Sequence, residues 1–448
     1  MNTLVAESHD LPSPDVQVPR NPSSPEPLAL TLQATTLLFA NAETTERTLA
    51  AGNRVAEALG YRANLIPQWD ELTARLEGGA RPQHDIAAVV ATGIDMNKVL
   101  ATEQTIDAVS DGRLPPQEAQ SAFAKIAGLP SVSLGRFILA AAVGASALSV
   151  VFGAEHLLSI ALIALSAGTG AAIRRALSRV SSNILLQPFF AALLAGLVGG
   201  VAQRYQLSSA LALIALCPCM VLVPGPHFLN GLMDLVHARV ALGGSRIAFA
   251  TLVIVAISTG LLLGMWLVGA TLPIAPPPRS VPLVVDVIAA GLAVSAYGSF
   301  YSMPWRYLPI PILVGMLAHA LHWLALSTGA SVYAAAFLAC FFVGLVMTPV
   351  AHRLRLPFAA MAFATVVSLI PGVFLFRMAA GLAQMATQGV NAPPSLTYVV
   401  LAEGSTAILI LLAMGLGLMA PKLWAGRAQP IRVSATTPTA GADRVRKA

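Results

Sequence analysis

Charge is what this chain lacks. Of its 448 residues, only 11% are Asp, Glu, Lys or Arg, against roughly 25% in an average soluble chain. The deficit is uneven. Residues 1–130 carry 9 basic and 16 acidic side chains, a net charge of −7. Residues 131–420 carry 12 arginines, no lysine and only four acids (Glu155, Asp234, Asp286 and Glu403), net +8. Residues 421–448 carry six basic side chains and Asp443, net +5. A stretch of 290 residues with 16 charges cannot cover the surface of a soluble domain. This excludes a soluble protein as a whole-chain reading and points to a polytopic membrane protein with a soluble N-terminal part.

Other absences narrow the function. The four lysines, Lys98, Lys125, Lys422 and Lys447, never follow glycine, so there is no Walker A loop. H-E-x-x-H, G-x-S-x-G and C-x-x-C-H are absent too. No enzyme is therefore expected, and no cofactor; transport has to draw on an ion gradient or on the substrate's own gradient. The three cysteines, Cys217, Cys219 and Cys340, lie in apolar stretches and read as small buried hydrophobes, not as a disulfide framework or a metal site. The basic excess sits beside apolar spans instead of forming one patch, which excludes nucleic acid as a partner. The opening MNTLVAESHDLPSPD has neither a basic region nor a long apolar run, so no signal peptide is expected and the N-terminal part stays on the synthesis side.

The first 27 residues contain six prolines and little apolar content and are expected to be a disordered tail. Residues 28–130 read as a small α+β cytoplasmic domain. Leu28–Ala40 has helical spacing, Asn41 is the expected left-handed break, and Thr44 or Thr45 caps a helix that Gly60 stops. Ala63–Ile66, Leu72–Leu76 and Ile86–Ala91 read as strands, the second by its alternation of apolar and polar residues. Asp95 caps a helix ending near Gly112, and Pro115-Pro116 opens one reaching about Ala127.

Ten apolar segments of spanning length follow: 134–152, 157–173, 184–203, 207–224, 246–270, 281–300, 307–327, 331–349, 358–377 and 397–420. With the N-terminus inside, the inner loops receive Arg174, Arg175, Arg179, Arg239, Arg246, Arg306, Arg353 and Arg355. The outer loops receive Arg204, Arg279 and Arg377. The positive-inside rule then places both termini in the cytoplasm. The segments divide into two fives, 131–275 and 276–424, followed by a basic tail, 425–448. AGLVGGVAQRYQLSSALALIALCPCMVLVPG (195–225) aligns with VGLVMTPVAHRLRLPFAAMAFATVVSLIPG (343–372) with one gap. Five spans per copy force opposite orientations, so the expected architecture is two inverted five-helix repeats. Two hydrophobic hairpins sharing Gly and Pro by composition would give the same match.

Pro224-Gly225 and Pro371-Gly372 are the strongest local signals. Proline removes a helical donor and clashes with the preceding turn, and in lipid such a break survives only where protein or water satisfies the freed carbonyls. Either they interrupt a span beside a hydrated pathway between the two halves, or the first merely ends span four. Pro371 is expected five or six residues before its span ends. After the first break, His227, Asn230, Asp234 and His237 share one helical face, which lines the inner mouth of a pathway or lies at the membrane surface. Asp286 and Glu403 are the acids inside predicted spans, suited to proton exchange or to a substrate ammonium, or else paired with Arg279 or Arg377. His319 and His322, three apart in span seven, read first as packed histidines. Arg136 reads as an anchor at the inner interface. Gly196 with Gly200, and Gly260 with Gly264, suit close helix packing.

Three segments together resemble the threonine/serine exporter family: ATGIDMNKVLATEQTIDAVSDGRLPPQEAQSAFAKIAG (91–128), LVPGPHFLNGLMDLVHARVALGGSRIA (222–248) and LPFAAMAFATVVSLIPGVFLFR (356–377). The resemblance covers Leu28 to Trp424 and carries over Pro224, Gly225, Asn230, Asp234, Pro371 and Gly372. The sequence departs from the family's pattern at Asn41, in RANLIPQWDELTARL and at Pro226-His227. The resemblance implies a multi-pass protein of the bacterial inner membrane that exports small amino acids, with protons and the lipid bilayer as further partners; a homo-oligomer is left open. A related two-polypeptide system is associated with succinate, so export of a dicarboxylate is the alternative, with Arg377 as its extra cationic contact. A membrane-anchored sensor or enzyme built on residues 28–130 is the second alternative. The expected pathway residues are Pro224, Gly225, His227, Asn230, Asp234, Asp286, Pro371, Gly372, Arg377 and Glu403.

Overall fold

The computed structural model describes residues 26–78, 81–207, 210–273, 281–354 and 358–427. The proposed N-terminal tail, Arg279, Arg355 and the basic tail beyond 427 lie outside the described residues.

The N-terminal unit begins with α1 (Glu26–Ala40), largely apolar and buried around its circumference, with Thr31, Gln33, Thr35 and Thr36 enclosed among its leucines and alanines. Leu28, Leu32 and Phe39 pack toward a three-stranded sheet, while Leu30, Ala34, Leu37 and Leu38 pack toward three helices. Those helices are α2 (Thr45–Ala58), α3 (Met96–Ser110) and α4 (Pro116–Ala127). Thr44 caps α2 by accepting from the Arg47 N–H, and Asp95 caps α3 by accepting from Asn97 and Lys98. Strands β1 (Arg62–Pro67), β2 (Glu71–Glu77) and β3 (Gln83–Ala88) form an antiparallel meander with Leu65 opposite Ala74 and Leu72 opposite Ala87. Leu72, Ala74 and Leu76 face inward as the alternation requires; each leucine contributes about 1.5–3 kcal/mol by burial. The turn after α1 differs from expectation. Ala42, not Asn41, takes the left-handed conformation (φ 66°), because the Asn41 amide donates back to the Leu37 carbonyl and extends the helical geometry by one residue.

The membrane unit follows: α5 (Leu134–Val151), α6 (Leu157–Val180), α7 (Leu186–Arg204), α8 (Leu211–Met220), α9 (Gly225–Val236), α10 (Val240–Leu267), α11 (Leu283–Phe300), α12 (Pro309–Ser327), α13 (Val332–Leu354), α14 (Phe358–Thr365), α15 (Gly372–Gln388) and α16 (Pro394–Arg427). Among the described residues, nine helical segments are long and apolar enough to span a bilayer, and α8 with α9, bent by 58°, makes a tenth. The chain is a multi-pass membrane protein.

Span nine differs from expectation. It does not run from 358 to 377. The eight-residue α14 is followed by a 3-10 turn, Val367–Leu369, and α15 then continues to Gln388. Pro371 therefore opens the long half of the span instead of sitting near its end. Arg377, placed by the sequence in an outer loop, lies inside α15, where its charge is neutralised within the protein.

Helices approach most closely where glycine removes the side chain. A Cβ at Gly196 on α7 would collide with the Leu261 carbonyl of α10, and one at Gly264 with the Leu193 carbonyl. In the other half, a Cβ at Gly344 on α13 would collide with the Leu418 carbonyl of α16, and one at Gly417 with the Phe337 carbonyl. α5 and α11 lie side by side, Gly144 against Ala296. Arg136 holds the end of α5 nearest the N-terminal unit, donating to the Met303 carbonyl at 2.8 Å and stacking over Trp305.

Candidate functional site

The two proline–glycine steps have nearly the same backbone. Pro224 sits at φ −83°, ψ 60° and Pro371 at φ −77°, ψ 37°. The Gly225 N–H donates to the Val223 carbonyl at 2.9 Å, and the Gly372 N–H to the Ile370 carbonyl at 2.8 Å. Both are i→i+2 turns close to the inverse γ geometry. Each turns a helix without leaving its own glycine donor unpaired.

The breaks face each other across the centre. Gly225 at the start of α9 lies against the Phe363 ring of α14, too close for any side chain. Gly372 at the start of α15 lies against the Met220 side chain of α8. The first half of each broken span thus packs on the second half of the other. Tyr297, fully buried on α11, donates its hydroxyl to the Met220 carbonyl at 3.1 Å, supplying a donor to the end of α8.

A cavity of about 660 Å³ opens beside the breaks between α9, α10, α15 and α16. Its lining includes Val223, Gly225, Phe363, Val366 and Ile370, and its polar lining is limited to Thr251, Ser258 and Thr259. The expected hydrated compartment is therefore an apolar one in this conformation, because the side chains flanking both turns are hydrophobic.

The polar face of α9 is not exposed to a pathway. His227, Asn230 and Asp234 are buried beneath the N-terminal unit, while His237 is exposed. The Asn230 amide donates to the Ala42 carbonyl at 3.2 Å, and the Thr45 hydroxyl donates to Asp234 Oδ2 at 3.1 Å. Arg246 and Arg239 approach Asp234 at 3.2 and 3.3 Å. Arg246 also stacks on Phe39, and His227 meets the rings of Trp69 and Phe249. Lys422 on α16 contacts Glu46 at 2.6 Å. Burial acts to raise the Glu46 carboxyl, but the Lys422 ammonium together with His237 and Arg239 outweighs it and holds the group below its usual range.

Next to this seam lies Glu43, which sequence reading passed over. It is wholly buried and one carboxylate oxygen has no hydrogen-bond partner. Burial pushes its carboxyl above the ordinary carboxylate range; Glu103 adds to that push, while Arg47 opposes it. An acid between two predicted helices carries no signal of burial in one sequence, since its neighbours, Arg47, Glu103 and Lys422, come from elements that only folding brings together.

The two intramembrane acids have different partners. Glu403 on α16 lies 2.6 Å from the Arg377 guanidinium on α15. Asp286, in the first turn of α11, lies 2.8 Å from Nδ1 of His319 on α12, close enough for an ion pair but off the line of a hydrogen bond. His322 is one turn on, its ring 5.7 Å from that of His319. All three are buried beside a cavity of about 260 Å³. The i, i+3 spacing of the histidines was visible in the sequence; the meeting of His319 with Asp286 was not.

This arrangement defines a multi-pass membrane protein with two interrupted helices crossed at its centre and buried ionisable pairs between its spans. The family model described as "Putative threonine/serine exporter" matches residues 29–268. A second, described as "Threonine/Serine exporter", matches residues 286–424. The chain belongs to the threonine/serine exporter family, in its fused form. No solved structure matches it.

Proposed function

We propose that the protein is a secondary exporter of threonine and serine, driven by the proton motive force across the bacterial inner membrane, with both termini in the cytoplasm. The observation that carries this reading is the pair of crossed breaks, Gly225 against Phe363 and Gly372 against Met220. Two interrupted helices meeting midway through a bundle are a common plan for substrate sites in secondary transporters.

The two halves are inverted repeats in this reading. Supporting it, α7 packs on α10 as α13 packs on α16, each through glycines set against carbonyls, and both breaks share one turn geometry. Substrate binds beside the two breaks, its carboxylate favoured by the positive dipole ends of α9 and α15. The N-terminal unit closes the near side of α9 through Thr45 and Ala42, so this conformation is shut toward that side.

The test is transport in proteoliposomes loaded with labelled threonine under an imposed pH gradient. Gradient-dependent efflux, competed by serine and not by succinate, is the expected result. Efflux indifferent to the gradient removes the coupling, and competition by succinate alone replaces the substrate with a dicarboxylate. Labelling of single cysteines at positions 46 and 329 from either side of the membrane tests the orientation.

A further inference from the structure

Resting on the proton-coupled reading above, we infer that Asp286, His319 and His322 form the site where the coupling proton is bound, and that Glu403 is not part of it. Three observations carry this. Asp286 and His319 come from neighbouring helices and meet at 2.8 Å in the buried end of the bundle remote from the N-terminal unit. That end is fixed by the chain: Tyr301, at the far end of α11 from Asp286, accepts from the Met96 N–H of the N-terminal unit. A cavity of about 260 Å³ adjoins the pair and His322, giving water room to deliver a proton.

The charge balance separates this site from the other acid. A carboxylate with a neutral imidazole carries −1; one added proton, on either partner, makes the pair neutral overall. Loading and release therefore change the charge buried in the bundle, and that change can bias a conformational equilibrium. The Arg377–Glu403 pair starts at zero, because guanidinium does not lose its proton in proteins. Protonating it would leave an uncompensated cation inside the bundle.

Among the described residues, the lining of this cavity holds no ionisable side chain besides these three; Glu155 and His156, which follow Val151 at this end of α5, are exposed. α5, packed on α11, carries only Arg136, at its opposite end. α14 carries none, and α13 brings only Tyr333 to this end, largely exposed and outside the cavity lining. Trp323 lines the cavity next to His322 and donates its indole N–H to the Val281 carbonyl at 3.1 Å, which places a native reporter at the site.

The experiment uses the full chain in two measurements. In proteoliposomes, export driven by a pH gradient is compared with exchange of internal for external labelled threonine, which needs no net proton movement. Asp286→Asn is expected to lower the ratio of driven export to exchange by roughly tenfold or more. An unchanged ratio overturns the assignment. In detergent, the fluorescence contributed by Trp323, taken as the difference from Trp323→Phe, is titrated between about pH 5 and 8. The expected result is a transition that His319→Gln or Asp286→Asn displaces or removes; no transition, or one indifferent to both variants, overturns it. Should the wild type neither export nor exchange threonine, the exporter reading falls, while the fluorescence titration still decides whether the site binds a proton.

Discussion

The two broken spans are alike in backbone and unlike in surroundings. Both turn at a proline followed by a glycine whose N–H closes on the residue two before it. Beyond the turn they diverge. α9 is short, carries a buried acid, Asp234, paired with Arg239 and Arg246, and lies under the N-terminal unit, which adds the Thr45 hydroxyl to that acid. α15 is longer, carries a buried cation, Arg377, and finds its partner within the membrane unit, on α16. A proline–glycine step sets where each helix turns, and the charge on the following half-helix takes its ion partner from the membrane unit in both cases, Arg239 and Arg246 for Asp234 and Glu403 for Arg377; only α9 adds a hydroxyl from the N-terminal unit. A buried charge without a partner is costly enough to fix an interface.

The strongest way to break the comparison is to strip one half-helix of its partner. Arg377→Met should destabilise the detergent-solubilised protein by up to about 3–5 kcal/mol, because Glu403 is left as a lone, partly buried carboxylate. Adding Glu403→Met should recover most of the loss, as read by thermal melting; a double variant as unstable as the single one would show that the pair does more than balance charge. Next in size is the crossing itself. Gly225→Ala drives a methyl into the Phe363 ring and should cost about 1–3 kcal/mol or more. Gly372→Ala meets only the flexible Met220 side chain and should cost under about 1 kcal/mol. Equal melting temperatures for these two variants would mean that the breaks are not packed as described.

Tyr297→Phe removes the hydroxyl donor to the Met220 carbonyl, which also accepts from the Val223 N–H, so a loss of about 1 kcal/mol is expected in the same melts. The smallest effect concerns the seam beside α9. Burial holds the Glu43 carboxyl above its usual range, so the folded protein binds that proton more tightly than the unfolded chain. The stability gained is full below the unfolded value and is lost as pH rises through the folded one. Glu43→Gln, neutral throughout, should match the wild type in acid and melt about 1–2 °C higher at neutral pH and above. A gap that widens toward acid would reverse the sign and refute the burial argument.

Much of this architecture is legible in one sequence because its determinants are local. The charge-poor stretch required a membrane, and the apolar runs located the spans, although α6, α10, α13 and α16 extend five to seven residues beyond the expected ends. Thr44 and Asp95 marked helix starts, and the alternation in Leu72–Leu76 marked β2. The departures are where tertiary contact overrides local signal. Span nine was read as ending at Arg377, with that arginine in an outer loop; Glu403, twenty-six positions on, neutralises it and α15 continues to Gln388. Asn41 was read as the left-handed residue because its side chain tolerates that conformation, yet its amide caps Leu37 and passes the turn to Ala42.

The sequence by itself determined that the chain crosses the membrane many times, that Pro224-Gly225 and Pro371-Gly372 are where helical geometry breaks, and that few acids lie inside. Only the tertiary structure decided that the interruptions face each other, that the polar side of α9 turns toward the N-terminal unit, and which partner each buried acid takes. Helix breaks and hydropathy arise from residues adjacent in the chain, whereas the neutralisation of a buried charge depends on groups that only folding brings within a few ångströms.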